Sequence, residues 1–213
     1  MAKNKYFDTP FGITDHPHLN KPDTKFKPDN PEFKTGLDVE GPEAEALAAR
    51  IDAEAQAAFD AFFEDGQGKD MTPAEKKKFT VYKPYERLED AEGNPTGVIR
   101  FDFKQNAKLR LNDGTTKNVV IALYDAAGNE LDPAKTIIRG GSVVRLRASL
   151  RAIPMKPLKM VGVRLDFAMV QVKELSKGGQ KGFGAVDGYT ADDDDDSAGG
   201  GFSPASDNDS ADY

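Results

Sequence analysis

A small, mainly β barrel of five antiparallel strands with one inserted helix is the fold class that this chain of 213 residues predicts. Three observations carry that expectation. From residue 79 onward, apolar residues recur at every second position in segment after segment, the period of a half-buried strand. Turn chemistry separates those segments, as at Asn112-Asp113-Gly114 and Ala127-Gly128-Asn129. One long stretch alone, from Pro42 to about Phe63, has apolar residues at helical spacing.

The elements follow in order. Residues 1–40 are rich in Pro, Asp, Asn and Lys, with Phe11–Thr14 and Glu32–Val39 as the plausible strands. Gly41-Pro42 opens the helix, since proline at the first helical position has its φ preset and Glu43 and Glu45 complement the positive end of the dipole. Leu47, Ile51, Ala55, Ala58, Phe59 and Phe62 then form one apolar face, and Gly66-Gln67-Gly68 stops it. A shorter helix over Thr72–Lys78 begins with a Thr-Pro cap signature. Strands are predicted at Val81–Leu88, Val98–Lys104, Lys117–Tyr124, Ser142–Ala152 and Lys159–Leu175. Short antiparallel strands with a helix between them suggest a strongly twisted barrel, and the OB-fold is the commonest barrel of that size. Residues 1–181 make one domain, and residues 182–213 a disordered acidic tail.

Charge is segregated along the chain. Residues 98–181 hold sixteen Lys and Arg against seven Asp and Glu, while residues 182–213 hold nine Asp and no cation. The densest part of the tail is Asp192, Asp193, Asp194, Asp195 and Asp196, and Asp207, Asp209, Asp212 and the terminal Tyr213 follow. The net charge of −7 therefore says nothing against a polyanionic partner, because local sign decides such binding. A tail opposite in charge to the strand region of its own chain reads as an imitation of that partner.

Several classes of chemistry are excluded or disfavoured. The absence of cysteine removes disulfides and thiolate metal sites. His16 and His18 have no matching ligand cluster, so neither a metal nor a cofactor is expected. No segment has the length and polarity of a signal peptide or membrane span, which suits a cytoplasmic protein without a membrane partner. There is no phosphate-binding glycine loop, no nucleophile elbow and no His beside a candidate Ser. The strand acids Asp102, Asp166 and Glu174 are too sparse for a two-metal nuclease, and the chain is not read as an enzyme.

The segment 143–152 is the most informative part of the body. Period two puts Val144, Leu146, Ala148, Leu150 and Ala152 towards a core, and Arg145, Arg147, Ser149 and Arg151 on the other face. Residues two apart on a strand lie roughly 6.6 Å from each other, close to the phosphate spacing of an extended single strand. Arg100 and Lys104 repeat the pattern on the strand over 98–104, opposite Ile99, Phe101 and Phe103, which read as core, and Lys108 and Arg110 extend it. Tyr82 and Tyr85, beside Lys83 and Arg87 in a proline-interrupted strand, are the candidates for base stacking.

Four segments resemble one known group. Thr9-Pro10-Phe11-Gly12 with Leu19-Asn20-Lys21-Pro22-Asp23-Thr24-Lys25-Phe26 is similar to the N-terminal signature of the single-stranded DNA-binding proteins of tailed phages. Gly140-Gly141-Ser142-Val143-Val144-Arg145-Leu146, and Gly162-Val163-Arg164-Leu165 to Val170-Gln171-Val172, resemble its last two barrel strands. Phe183-Gly184-Ala185-Val186-Asp187-Gly188-Tyr189 resembles the element leading into its acidic tail. The resemblance implies an OB barrel that coats single-stranded DNA during phage replication and recombination in the cytoplasm of an infected bacterium. It also implies a tail that restrains DNA binding and contacts DNA polymerase, helicase-primase or recombination proteins. The best-known tails of that group end in Phe, whereas this one ends in Tyr213. The oligomeric state, a homodimer included, is left open. The rival reading is an acidic-tailed protein-interaction or chaperone module without a DNA role.

Overall fold

The computed structural model describes residues 5–25, 28–111 and 113–177. The expected acidic tail lies outside the described residues. Twelve strands and two α-helices follow one another among the described residues: β1 (Phe7–Asp8), β2 (Gly12–Asp23), β3 (Glu32–Glu40), α1 (Pro42–Glu64), α2 (Pro73–Lys76), β4 (Thr80–Tyr82), β5 (Tyr85–Glu89), β6 (Pro95–Asn106), β7 (Lys108–Arg110), β8 (Thr116–Asn118), β9 (Ala122–Tyr124), β10 (Glu130–Leu131), β11 (Val143–Met155) and β12 (Met160–Glu174). No helix of the described residues is long and apolar enough to cross a membrane.

Five of these strands close a ring in the order β11, β2, β3, β6, β12 and back to β11. Four of its junctions are antiparallel, with Val143 opposite Ile13, Ile13 opposite Asp38, Leu37 opposite Phe101, and Leu146 opposite Val170. The fifth, between β6 and β12 at Phe103 and Leu165, is parallel. That corrects the expectation of a wholly antiparallel barrel. Because β11 turns directly into β12, β12 must run opposite to β11, which brings it alongside β6 in the same direction. The strand β12 has 15 residues and also takes β4 and β9 as parallel neighbours on the same side as β6.

The side chains that fill the ring are those the alternation points inward. Phe101, Phe103, Leu37, Leu123, Val144, Leu146, Ala148 and Leu165 are wholly buried. Helix α1 packs Leu47, Ile51 and Ala55 into the same core and touches β3, β6, β11 and β12, as a plug across one end of the ring does. It starts at Pro42 and ends where Gly66 donates its N–H to the Ala61 carbonyl. Helix α2 has the expected cap: the Thr72 hydroxyl accepts from the Glu75 N–H, and the Glu75 carboxylate accepts from the Thr72 N–H at 2.8 Å.

Several boundaries differ from expectation for identifiable reasons. The 81–88 strand is two, because Lys83-Pro84 breaks the ladder between β4 and β5. The 117–124 strand is also two, β8 closing a separate hairpin with β7 while β9 joins β12. The first ring strand extends to Asp23, through register shifts with β3 after Asp15 and His18. Along β11 the alternation holds to Ala148 and then weakens. Ser149 is buried and Ala152 exposed, next to a bulge where Arg147 and Ala148 face Met169 and Phe167, leaving Ala168 as the extra residue.

Candidate nucleic-acid interface

The outer face of the β11–β12 hairpin is a groove with walls contributed by three other parts of the chain. Its floor carries Arg145, Arg147, Ser149 and Arg151 from β11 with Asp166, Ala168, Met169 and Gln171 from β12. On one side lies β1, zipped to the free edge of β11 with Phe7 opposite Ala148 and Asp8 opposite Arg147. Thr9 completes that seam: its N–H donates to the Leu146 carbonyl and its hydroxyl accepts from the Leu146 N–H, both at 2.9 Å. On the other side stand Tyr124 of β9 and the β7–β8 hairpin with the residues that follow it. Two cavities of about 290 and 280 Å³ lie in series along this floor.

The arginines of that floor face outward together as expected, but two of the three have acidic partners. Arg147 donates to Asp8 through Nε at 2.7 Å and Nη2 at 2.9 Å. The hydrogen bond from Arg147 is the main reason that the Asp8 carboxyl is held below its usual range, outweighing partial burial. Arg151 donates through Nε to Asp166 at 2.5 Å, and Arg164 donates to the other oxygen of the same carboxylate at 2.6 Å. Arg145 instead donates to the neutral Gln171 at 2.7 Å, so its charge is not cancelled there. Its guanidinium lies 5.1 Å from the Phe11 ring centroid, with Lys173 Nζ at 5.7 Å from the same ring.

The remaining sequence-predicted residues fall elsewhere. Arg100 projects from β6 between Asp38, with Nε to Oδ1 at 2.6 Å, and Asp15, with Nη1 to Oδ2 at 3.1 Å. Two carboxylates therefore surround it, which opposes a phosphate contact there. Lys104 lies opposite Lys34 in the β3–β6 ladder. Lys108 and Arg110 sit on the β7–β8 hairpin and, with Lys117, make no ion pair among the described residues. Tyr82 is half-buried, and its hydroxyl is pushed up mainly by that burial and further by the charge of Asp102. Its carbonyl packs on Gly162, where a Cβ would fall 1.9 Å away, so only glycine fits that position.

Tyr85 and Lys83 are committed to helix α1. The Tyr85 hydroxyl donates to Asp52 at 2.8 Å while its ring leans on Phe101, centroids 5.8 Å apart. Burial first, and then Asp52, push that hydroxyl up to about 12. Lys83 pairs with the same carboxylate at 3.0 Å. Neither joins the arginine floor. Sequence reasoning missed Tyr6, Phe11, Tyr124 and Lys173, which do border it. Tyr6 and Phe11 are more than a third exposed, unusual for rings flanked by a paired β segment. The sign of Tyr124 was Leu123 beside it, buried on the opposite face of the same strand.

No family model matches this chain, and no curated protein matches it. Solved structures do. The crystal structure of gp2.5, a single-stranded DNA-binding protein encoded by bacteriophage T7, superposes with a TM-score of 0.69 at 21% identity over 89% of this chain and all of that one. The single-stranded DNA-binding protein from bacteriophage Enc34 in complex with ssDNA gives 0.54 at 13% identity, covering 81% of this chain and 88% of that one. The same Enc34 protein without its C-terminal part gives 0.53 at 13% identity, over 81% and 87%. The fold is therefore that of phage single-stranded DNA-binding proteins, the group whose motifs this sequence resembles.

Proposed function

We propose that this chain is a non-catalytic, sequence-independent single-stranded DNA-binding protein built on an OB barrel, acting in phage DNA replication and recombination. The observation that carries the reading is the β11–β12 floor, on which Arg145, Arg147 and Arg151 face one groove bordered by Phe11, Tyr124 and Tyr6. Cations in a row that tracks a backbone, with aromatic rings at the walls, are what sequence-tolerant binding of a single strand requires. The ring order with its parallel junction between β6 and β12 supports the OB assignment. The shared fold with phage proteins that bind single-stranded DNA supports the ligand.

An exchange mechanism follows from this reading. A phosphate entering the groove takes over the Arg147 guanidinium that Asp8 holds in the free protein. That contact then gains a phosphate and releases the exposed Asp8 carboxylate to water, which lowers its net affinity and favours rapid redistribution along the strand. Arg145, which among the described residues hydrogen-bonds through its side chain to the uncharged amide of Gln171, is the point where a phosphate is bound without such exchange. The acidic tail, residues 182–213, is proposed as a tethered competitor for the same cations, with Tyr213 as an end group for replication partners. A chain of that length has a root-mean-square reach of roughly 30 Å, enough to cross a small barrel.

The test is retention on single-stranded DNA-cellulose together with fluorescence anisotropy on labelled oligo-dT, with duplex DNA as control. Binding to oligo-dT with an affinity that falls steeply with salt is the expected result. Absence of retention at low salt sinks the reading and leaves the protein-interaction module in its place.

A further inference from the structure

We infer that the 280 Å³ cavity beneath the β7–β8 hairpin is a seat for one nucleobase turned out of the bound strand. The inference rests on the DNA-binding reading and says where, within that groove, a base rather than a phosphate is held. The cavity has three properties that together favour a flat heterocycle.

The first is an unused hydroxyl. Ser149 is 2% exposed, lines the cavity, and its side chain has no hydrogen-bond partner among the described residues. Among the described residues no side-chain oxygen or nitrogen is both fully buried and unpaired, so this hydroxyl opens into the cavity and is free to bond whatever fills it. Gln105 lines the same space, and among the described residues its side chain makes one hydrogen bond, a long one of 3.3 Å from its amide nitrogen to the carbonyl of Asn106. A hydroxyl and a carboxamide both donate and accept, so they can meet the edge of any base without selecting one.

The second property is the wall. Leu109, Val119 and Val120 close the cavity from the hairpin side, and Val120 is 76% exposed although it borders a recess. Tyr6 stands at the rim on the β1 side, 55% exposed. An exposed ring and exposed aliphatic side chains facing one another across a gap gain by having an aromatic plate between them. The volume falls just below the roughly 300–1,000 Å³ of pockets for drug-sized ligands, which suits a single ring system.

The third property is the charge arrangement. Asp166 lines the cavity with both of its oxygens occupied by Arg151 and Arg164. With Glu32 also 3.7 Å from Arg164, two guanidinium groups are balanced by two carboxylates, so the cluster offers a phosphate no surplus positive charge. Cations without an acidic partner among the described residues stand outside instead, at Lys108, Arg110 and Lys117 of the hairpin. The strand's phosphates are thus drawn along the rim and the base inward.

The experiment compares oligo-dT with an abasic oligomer of equal length, for the full chain and for Ala168→Phe and Tyr6→Ala. Ala168 lines the cavity, so a phenylalanine there fills it, while Tyr6→Ala removes an exposed rim residue and leaves the core untouched. The expected result is that each variant binds oligo-dT about five- to tenfold more weakly and the abasic oligomer as the parent does. Variants that match the parent on both oligomers, or that lose affinity equally for both, overturn the base seat and leave DNA binding standing. A parent chain that binds neither oligomer overturns the functional reading itself, and the seat with it. Thermal unfolding of Tyr6→Ala at the parent's temperature shows that its readout reports the site, whatever Ala168→Phe does to folding.

Discussion

Asp8 stands directly opposite Arg147 across the β1–β11 ladder and receives its guanidinium at two points, 2.7 and 2.9 Å long. The two residues are 139 positions apart in the chain. That contact converts the middle of an apparently free arginine row into a neutral pair. It makes Asp8 the natural competitor of a phosphate for Arg147.

Asp8→Asn is accordingly expected to tighten oligo-dT binding at low salt, and Arg147→Ala to weaken it. Both sides of the pair are more than a third exposed, so the stability at stake is at most about 1 kcal/mol and binding is the sensitive readout. The salt dependence of Arg147→Ala should be shallower by roughly 0.7 in log–log slope, one phosphate contact on a single strand. Unchanged slope and affinity in both variants would place the DNA elsewhere.

The same pair has a pH signature. The Asp8 carboxyl is held below its usual value, chiefly by the hydrogen bond from Arg147. A depressed carboxylate contributes stability that is full above the usual range near pH 4 and is lost as pH falls through the depressed value. The stability difference between the parent and Asp8→Asn should therefore be constant from neutral pH to about pH 4 and shrink below it. Acid titrations followed by circular dichroism measure this, and a difference that persists undiminished at pH 2 contradicts it.

Tyr85→Phe removes a hydroxyl that donates to Asp52 and leaves the ring on Phe101. The expected cost is about 1 kcal/mol of stability, since Lys83 still holds the Asp52 carboxylate. Oligo-dT affinity should not change. A loss of affinity without a loss of stability would return Tyr85 to the binding surface as a stacking residue.

Gly162→Ala tests the close approach of β4 to β12. The added Cβ would lie 1.9 Å from the Tyr82 carbonyl oxygen, which is backbone and cannot turn aside. The parallel register from Met160 opposite Thr80 to Gly162 opposite Tyr82 must then open, at a cost of about 3 kcal/mol in denaturant unfolding. A cost below about 0.5 kcal/mol would mean that β4 detaches freely.

Removing Asp192 to Tyr213 should tighten oligo-dT binding at low salt, and the truncated and full chains should converge as salt rises, because screening weakens the tail and the DNA alike. Equal affinities at low salt would leave the tail as a docking or solubility element.

Much of the barrel was legible because its signals are local. Period two along 98–104 and 143–148 placed Phe101, Phe103, Val144, Leu146 and Ala148 inside, where the structure has them. Proline and glycine marked both ends of α1, and the Thr72 cap marked α2. The two-residue strand β1 was illegible, since a segment that short has no period and exists only because the edge of β11 is open to it. The proposed site was half legible for the same reason. Alternation could say that Arg145, Arg147 and Arg151 share a face, but not that Asp8 and Asp166 would occupy two of them.

By itself, then, the sequence determined which residues of 98–104 and 143–148 point inward, where the long helix begins and ends, and that cations gather on one strand face. These follow from backbone geometry over a few residues. Only the tertiary structure decided that the ring closes through a parallel junction, that Tyr85 belongs to Asp52, and that Ser149 lines a cavity instead of an open face. Each of those depends on which distant segment arrives alongside, and the energy of that meeting comes from packing and charge pairing that no local period encodes.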